Sequence, residues 1–248
     1  MASETGLAGR RLGAVVAHPD DEMGFASVLA HYAALGVRVR LVALTSGQKG
    51  FRSHTDIEAV DELVRVRKEE LREASRILGL EPPVFLDFVD QELLGDDQEE
   101  VRERLAEVLQ EYDFHVVVTF GPDGVTGHRD HRAVSCFVTE ILQARDDLRP
   151  RLYYHALSPE SVEHFRRRTG RTLLGVSGDF LTTRIRVSES EVEKGVRAVG
   201  AYRSQFSPDF LDELREIFRK EGRKVHFRRV LPSPPVDGPM EECFFNGA

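Results

Sequence analysis

Short apolar runs alternate with longer stretches of helical period over the first 156 residues. Residues 12–17 form a small apolar run of the kind expected for a strand buried on both faces. A helix-friendly stretch at 23–35 follows and closes at Gly36, a residue suited to a helix stop. Residues 37–44 read as a second strand and 45–50 as loop. Val60, Leu63, Val64, Leu71, Ala74 and Leu78 recur at helical spacing within 59–78, just before Gly79. Pro82 and Pro83 lead into a short strand at 84–88. A charged amphipathic helix at 99–112 precedes a β-branched run at 115–120, and a helix ending near 143 precedes a strand at 152–155.

Strands alternating with helices of this length predict βαβ units. The expected fold is α/β, with a Rossmann-like, mostly parallel sheet and helices on both faces. Beyond residue 156 the pattern loosens. It suggests a helix at 159–168, a strand at 182–187, helices at 188–203 and 209–220, and a strand at 223–230. A proline-rich stretch at 232–239 reads as irregular. The expectation is a single domain over 1–248, with a core at about 10–156 and a C-terminal α/β extension at about 157–248. The order of the later strands does not follow from the pattern.

Composition narrows the partners. A hydrophobic fraction of 41% over 248 residues is enough for a substantial core, and the net charge of -8 repels phosphate backbones, so no nucleic acid is expected. Cys136 and Cys243 are the two cysteines, too few and too distant for a disulfide framework or a metal knuckle. No stretch approaches the roughly 20 apolar residues of a membrane span, and the first apolar run is too short for a signal core. The expected location is the cytoplasm.

Candidate chemistry lies at two strand ends, where parallel sheets bind their ligands. The first strand is followed by His18-Pro19-Asp20-Asp21-Glu22. The run at 115–120 is followed by a glycine-containing loop and then His128-Arg129-Asp130-His131. Either cluster alone has an ordinary explanation, as helix-capping acids or as loop histidines. Both at one sheet edge supply two imidazoles and a carboxylate, a set suited to Zn²⁺ that leaves a fourth position for water. His18 and Asp21, three apart, can point inward from one turn, and His131 can close the triangle. Asp20 is then free to act as general base towards a water activated by the metal. His128 is placed to stabilise an oxyanion or protonate a departing amine, and Asp130 to hold an imidazole in its working tautomer. Iron, cobalt or nickel suit the same donors.

These residues resemble the PIG-L/LmbE-like family of zinc-dependent N-deacetylases, in His18-Pro-Asp-Asp-Glu22 and in Gly127-His-Arg-Asp-His131. Supporting similarity lies in Thr45-Ser-Gly-Gln-Lys-Gly50, in Arg67-Lys-Glu-Glu70 with Ala74 and Leu78-Gly79, and in Tyr202-Arg-Ser-Gln205. The resemblance runs across most of the chain to about residue 206. It implies His18, Asp21 and His131 as metal ligands, Asp20 as general base, and His128 as electrophilic or acidic partner with Asp130 behind it. It also implies an amino-sugar-like substrate and a homo-oligomer. Three positions depart from the family pattern: Arg129 where proline is common, Gln48 where an acid is common, and Thr126 where some members have tyrosine.

The expected function is zinc-dependent hydrolysis of an N-acyl amide, above all N-acetyl, on an N-acetylglucosamine-like substrate. The alternatives are an amidase for a larger acyl or thiol-conjugate substrate, and a non-catalytic sugar- or metal-binding protein of the same fold. Arg52 and His155 are candidate substrate contacts, with the loops at 46–56, 90–98 and 121–127 as the expected seat of specificity. Arg67 reads as a structural ion pair and Glu22 as a helix charge or orienting group. His31, His54, His115, His164 and His226 have no partner at ligand spacing. A His-Glu-x-x-His pattern, a dinucleotide fingerprint and a Walker loop are all absent.

Overall fold

A computed structural model describes residues 6–51, 55–95, 97–221, 223–234 and 238–245. Seven strands form one sheet: β1 (Arg11–Val16), β2 (Arg38–Thr45), β3 (Val84–Phe88), β4 (Val116–Phe120), β5 (Arg151–Ala156), β6 (Thr183–Arg186) and β7 (Lys224–Leu231). Their order is β3-β2-β1-β4-β5-β7-β6. The first five are parallel, while β7 pairs antiparallel with both β5 and β6. The C-terminal extension therefore prolongs the sheet, with its last strand wedged between β5 and β6.

Among the described residues there are seven α-helices: α1 (Ala26–Ala34), α2 (Val60–Leu78), α3 (Gln98–Tyr112), α4 (Arg129–Ala144), α5 (Pro159–Thr169), α6 (Glu189–Val199) and α7 (Pro208–Glu221). Helices α1, α2 and α6 pack on one another, and α3 packs on α4. Right-handed crossovers put the α1–α2 pair and the α3–α4 pair on opposite faces, because the chain reverses its direction across the sheet after β3. Both faces being covered explains the near-continuous apolar sequence of β1 and β4, in which Leu12, Ala14, Val15, Val16, Val116, Val117 and Val118 are fully buried. None of the described helices is long and apolar enough to cross a membrane.

The reversal has a functional consequence. It leaves β1 and β4 adjacent while their following segments diverge to opposite faces, which opens a crevice beyond their carboxyl ends. The two histidine-bearing loops leave the sheet at that crevice.

Two helices differ from expectation. The stretch at 23–35 begins as a 3-10 turn, Asp21–Phe25, and becomes α-helical only at Ala26. The side chain of Asp21 is the reason: its Oδ2 accepts from the backbone amides of Ala17 (3.1 Å) and His18 (2.7 Å), folding the turn back under β1. The helix at 188–203 ends at Val199. Its start is set by a capping box between Ser188 and Glu191, and residues beyond 199 turn inward to deliver Tyr202 and Ser204 to buried carboxylates.

Candidate metal and catalytic site

The turn after β1 is strained. Asp20 has φ 104°, a left-handed conformation that side chains other than glycine rarely adopt. Arg67 of α2, only 3% exposed, holds it there. Its Nη2 donates to the Pro19 carbonyl (2.6 Å) and to Asp20 Oδ2 (3.1 Å), while Nη1 donates to the Gly47 carbonyl (2.9 Å). The expected ion pair of Arg67 thus exists, and its partner is the expected base. Gly47 is needed for this approach, since a Cβ there would lie 1.8 Å from Arg67 Nη1.

The loop after β4 contributes the second half. Gly124 and Gly127 both have positive φ, and His128 serves as N-cap of α4. His131, one turn into α4, stacks on Phe120 with ring centroids 4.2 Å apart. Its Nδ1 lies 2.9 Å from the Gly124 carbonyl. A carbonyl only accepts, so Nδ1 carries the proton and the Nε2 lone pair is directed to the crevice. There Nε2 lies 3.0 Å from Asp21 Oδ1.

His18, Asp21 and His131 lie together at the crevice. His18 Nδ1 is 3.3 Å from Asp21 Oδ2. Its other nitrogen, Nε2, faces two buried carboxylates, Asp90 at 3.0 Å and Asp130 at 3.3 Å. Donor atoms of His18, His128 and His131 all lie within 4.8 Å of one another, as do those of His18, Asp90 and Asp130. The site is therefore richer in donors than the expected triad. An imidazole lone pair pointed at a carboxylate in a buried pocket requires a cation between them, whether proton or metal. Burial opposes a charged ring, yet the neighbouring carboxylates, Asp21 first, leave the pKa of His18 well above its usual value and that of His131 raised. Asp21 is held well below the usual carboxylate range by the same two rings, against the opposing effect of burial. Nitrogen and oxygen donors of this kind fit zinc or another divalent transition metal.

Asp20 is not occupied by this network. Burial pushes its carboxyl up to about 7 although Arg67 pulls it down. His128 is half-buried, and burial with the adjacent His18 and His131 rings lowers its pKa. Its Nδ1 accepts from the Asp130 amide (3.2 Å), so the neutral ring carries its proton on Nε2. Asp130 occupies a different place from the expected one. Its backbone amide meets His128, but its carboxylate abuts His18 and accepts from the Gln91 amide (2.6 Å), which makes His18 the imidazole it orients.

The remaining candidates separate. His155, on β5, is 3% exposed and packs between Gly24, Phe25 and Phe227. Burial lowers its pKa to about 4, and its Nε2 has no hydrogen-bond partner among the described residues. Arg52 lies outside the described residues. Glu22 is fully buried, accepts from the Tyr202 hydroxyl, and has its carboxyl raised to about 8 by burial. Ser204 donates to both oxygens of Glu70, each at 2.7 Å, so the 202–205 segment ties the strand-end turn to α2. Gln48 donates to the Phe88 carbonyl (3.0 Å) and accepts from the Asp90 amide (3.3 Å), a pair of roles that an ionised carboxylate could not fill. The Thr126 hydroxyl sits 3.2 Å from His131 Nδ1.

Asp90 was not singled out by the sequence reading. Its only signal is position: an acid just after β3, at the edge to which the histidine loops also lead.

Residues 14–142 match the family described as PIG-L: GlcNAc-PI de-N-acetylase. A Mycobacterium leprae protein, 1D-myo-inositol 2-acetamido-2-deoxy-alpha-D-glucopyranoside deacetylase, is 32% identical over 142 residues, covering 49% of this chain and 46% of the relative. The chain spans about half the length of the curated relatives it matches. Among solved structures, N,N'-diacetylchitobiose deacetylase from Pyrococcus horikoshii superposes with a TM-score of 0.71 at 19% identity, covering 92% of this chain and 88% of that one. A conserved Thermus thermophilus protein superposes with a TM-score of 0.65 at 26% identity, covering 91% and 96%.

Proposed function

Because the chain belongs to the PIG-L de-N-acetylase family, we propose that it hydrolyses an N-acyl amide, N-acetyl included, on an N-acetylglucosamine-like substrate. His18, Asp21 and His131 would hold a zinc ion at the crevice. When bound, zinc supplies Lewis acidity, lowering the pKa of a coordinated water to about 7 and polarising the amide carbonyl.

The observation that carries this reading is Asp20. It is a partly buried carboxylate beside the ligand cluster, hydrogen-bonded to none of the imidazoles, and desolvation raises it to about 7. A base near neutrality is well matched to accepting a proton from water at neutral pH. Arg67 holds that carboxylate in place without surrounding it. His128, neutral with its proton on Nε2, is a hydrogen-bond donor for the developing oxyanion. Asp90 and Asp130 orient the His18 ring from behind. The two free cysteines suit a reducing compartment, and we place the activity in the cytoplasm.

The test is Asp20→Asn assayed on N-acetylglucosamine derivatives. Bound zinc, measured by elemental analysis, should remain near wild-type stoichiometry while kcat falls about 10²–10⁴-fold. Normal turnover in this variant would remove Asp20 from the reaction.

A further inference from the structure

A cavity of about 450 Å³ adjoins the crevice. Asp20, Asp21 and His131 form part of its wall, so an attacked carbonyl carbon at the metal site faces directly into it. The rest is largely apolar. Phe165 of α5, Phe206 of the segment before α7, and Phe210, Leu214, Ile217 and Phe218 of α7 supply the lining. His128, the residue on the oxyanion side, is not part of this wall.

Two features bear on the occupant. A pyranose placed here would set most of its hydroxyls against aromatic and aliphatic carbon, where each unpartnered hydroxyl costs affinity. The volume falls within the range of pockets for whole organic ligands, about 300–1,000 Å³. It far exceeds what the two carbons of an acetyl group need, at roughly 30 Å³ per water-sized group. Ser161, Arg171, Thr172, Lys224 and His226 also reach the wall, so its polar groups are a minority on a mainly apolar surface, and the buried His155 Nε2 has no hydrogen-bond partner among the described residues.

We propose that this cavity is an acyl pocket, and that the preferred substrate carries on its amide nitrogen an aliphatic or aryl-terminated acyl chain several carbons longer than acetyl. The inference rests on the reading of the site as an amide hydrolase and specifies its substrate class. The carbonyl presents two substituents to the site. The amine side leaves past His128, outside the cavity, and the acyl side runs inward between α5 and α7. In the reaction the water oxygen bonds to the acyl carbon as Asp20 takes its proton. Asp20 returns that proton to the nitrogen as the C–N bond breaks, and the amine takes up the proton of the acid product, so the two leave as ammonium and carboxylate.

The experiment is a chain-length series of N-acylglucosamines, from acetyl to octanoyl, assayed on the zinc-loaded protein. In parallel, binding of the acetyl and octanoyl members to the Asp20→Asn variant is measured by calorimetry. Each added methylene is expected to raise kcat/KM about two- to fourfold until the cavity is full. Octanoyl should bind at least about tenfold more tightly than acetyl. Ile217→Trp, which fills the pocket, should collapse the octanoyl-to-acetyl ratio in both measurements. Rates that fall with chain length, or equal binding of the two, overturn the acyl pocket while leaving amide hydrolysis standing. So does a rate that climbs with an alkyl group on the sugar's anomeric oxygen instead, since that puts the apolar group on the amine side. No turnover of any member, with the chain-length preference retained in binding, would overturn the hydrolase reading and uphold the pocket.

Discussion

Arg67 on α2 reaches across to the strained turn after β1 and places its Nη2 3.1 Å from Asp20 Oδ2, with both groups withdrawn from solvent. The pairing sets a charge balance at the expected base. Burial drives the Asp20 carboxyl up, and the guanidinium is the strongest force restraining it. Arg67 also fixes geometry through Pro19 and Gly47, which an ammonium on a flexible stem cannot reproduce in full.

Arg67→Met should therefore raise the pKa of Asp20 further. The base works ionised, so the acid limb of the kcat/KM profile should move to higher pH, by about one unit for each tenfold loss at low pH. Activity near pH 9 should be far less affected than activity at pH 6. Arg67→Lys should restore part of the shift. An acid limb in the same position in Arg67→Met would separate Arg67 from the ionisation of Asp20.

His128 is held neutral by burial and by its two imidazole neighbours. As an oxyanion donor it should act unchanged across pH 7–9. His128→Ala is expected to lower kcat about 10²–10³-fold, by the same factor throughout that range, with zinc content near normal. If the variant instead loses only the alkaline limb of a bell-shaped profile, His128 transfers a proton to the leaving amine.

His155 provides a pH dependence of stability. Its folded pKa is lowered to about 4, against the ordinary value of 6.5. Below 6.5 the unfolded chain takes up a proton that the folded chain refuses, so stability falls as pH drops from 6.5 to 4 and the loss then levels off. The shift corresponds to roughly 3 kcal/mol. His155→Leu should flatten this part of a urea-unfolding series by about that amount. Parallel wild-type and variant curves between pH 4 and 6.5 would show that the ring is accessible to protons in the folded protein.

Tyr202 donates to the buried Glu22 carboxyl. Tyr202→Phe leaves that group with one contact fewer and should cost about 1–3 kcal/mol. In a chain of this size, Tm should fall by about 2–4 °C per kcal/mol. The zinc content of the folded protein should be unaffected, because the Glu22 carboxyl is bonded to Tyr202 and is not among the clustered donor atoms. Loss of metal in the variant would mean that the pair supports the site itself.

Much of the architecture was legible in the sequence because it depends on local period. The apolar runs at 12–17 and 115–120 became β1 and β4, and the helical spacing from Val60 to Leu78 became α2, stopped at Gly79 with φ 82°. Strand ends in a parallel sheet share one edge, so His18-Pro-Asp-Asp-Glu22 and His128-Arg-Asp-His131 could be assigned to one crevice before their distance was known.

Tertiary structure decided what depends on which side chains meet across the chain. Whether a carboxylate serves a metal-binding ring or stands free is a matter of ångströms, and spacing does not encode it. Asp130 lies two residues from His128 and yet gives its carboxylate to His18, 112 residues away. Asp90 carries no motif and reaches His18 only because β3 ends beside β2 at the same edge. The acyl-sized cavity arises where β7 runs antiparallel between β5 and β6 and brings α7 over the crevice. Local propensity can assign helices and strands in that stretch, but strand order depends on long-range pairing, and its final arrangement is settled only when the whole sheet closes.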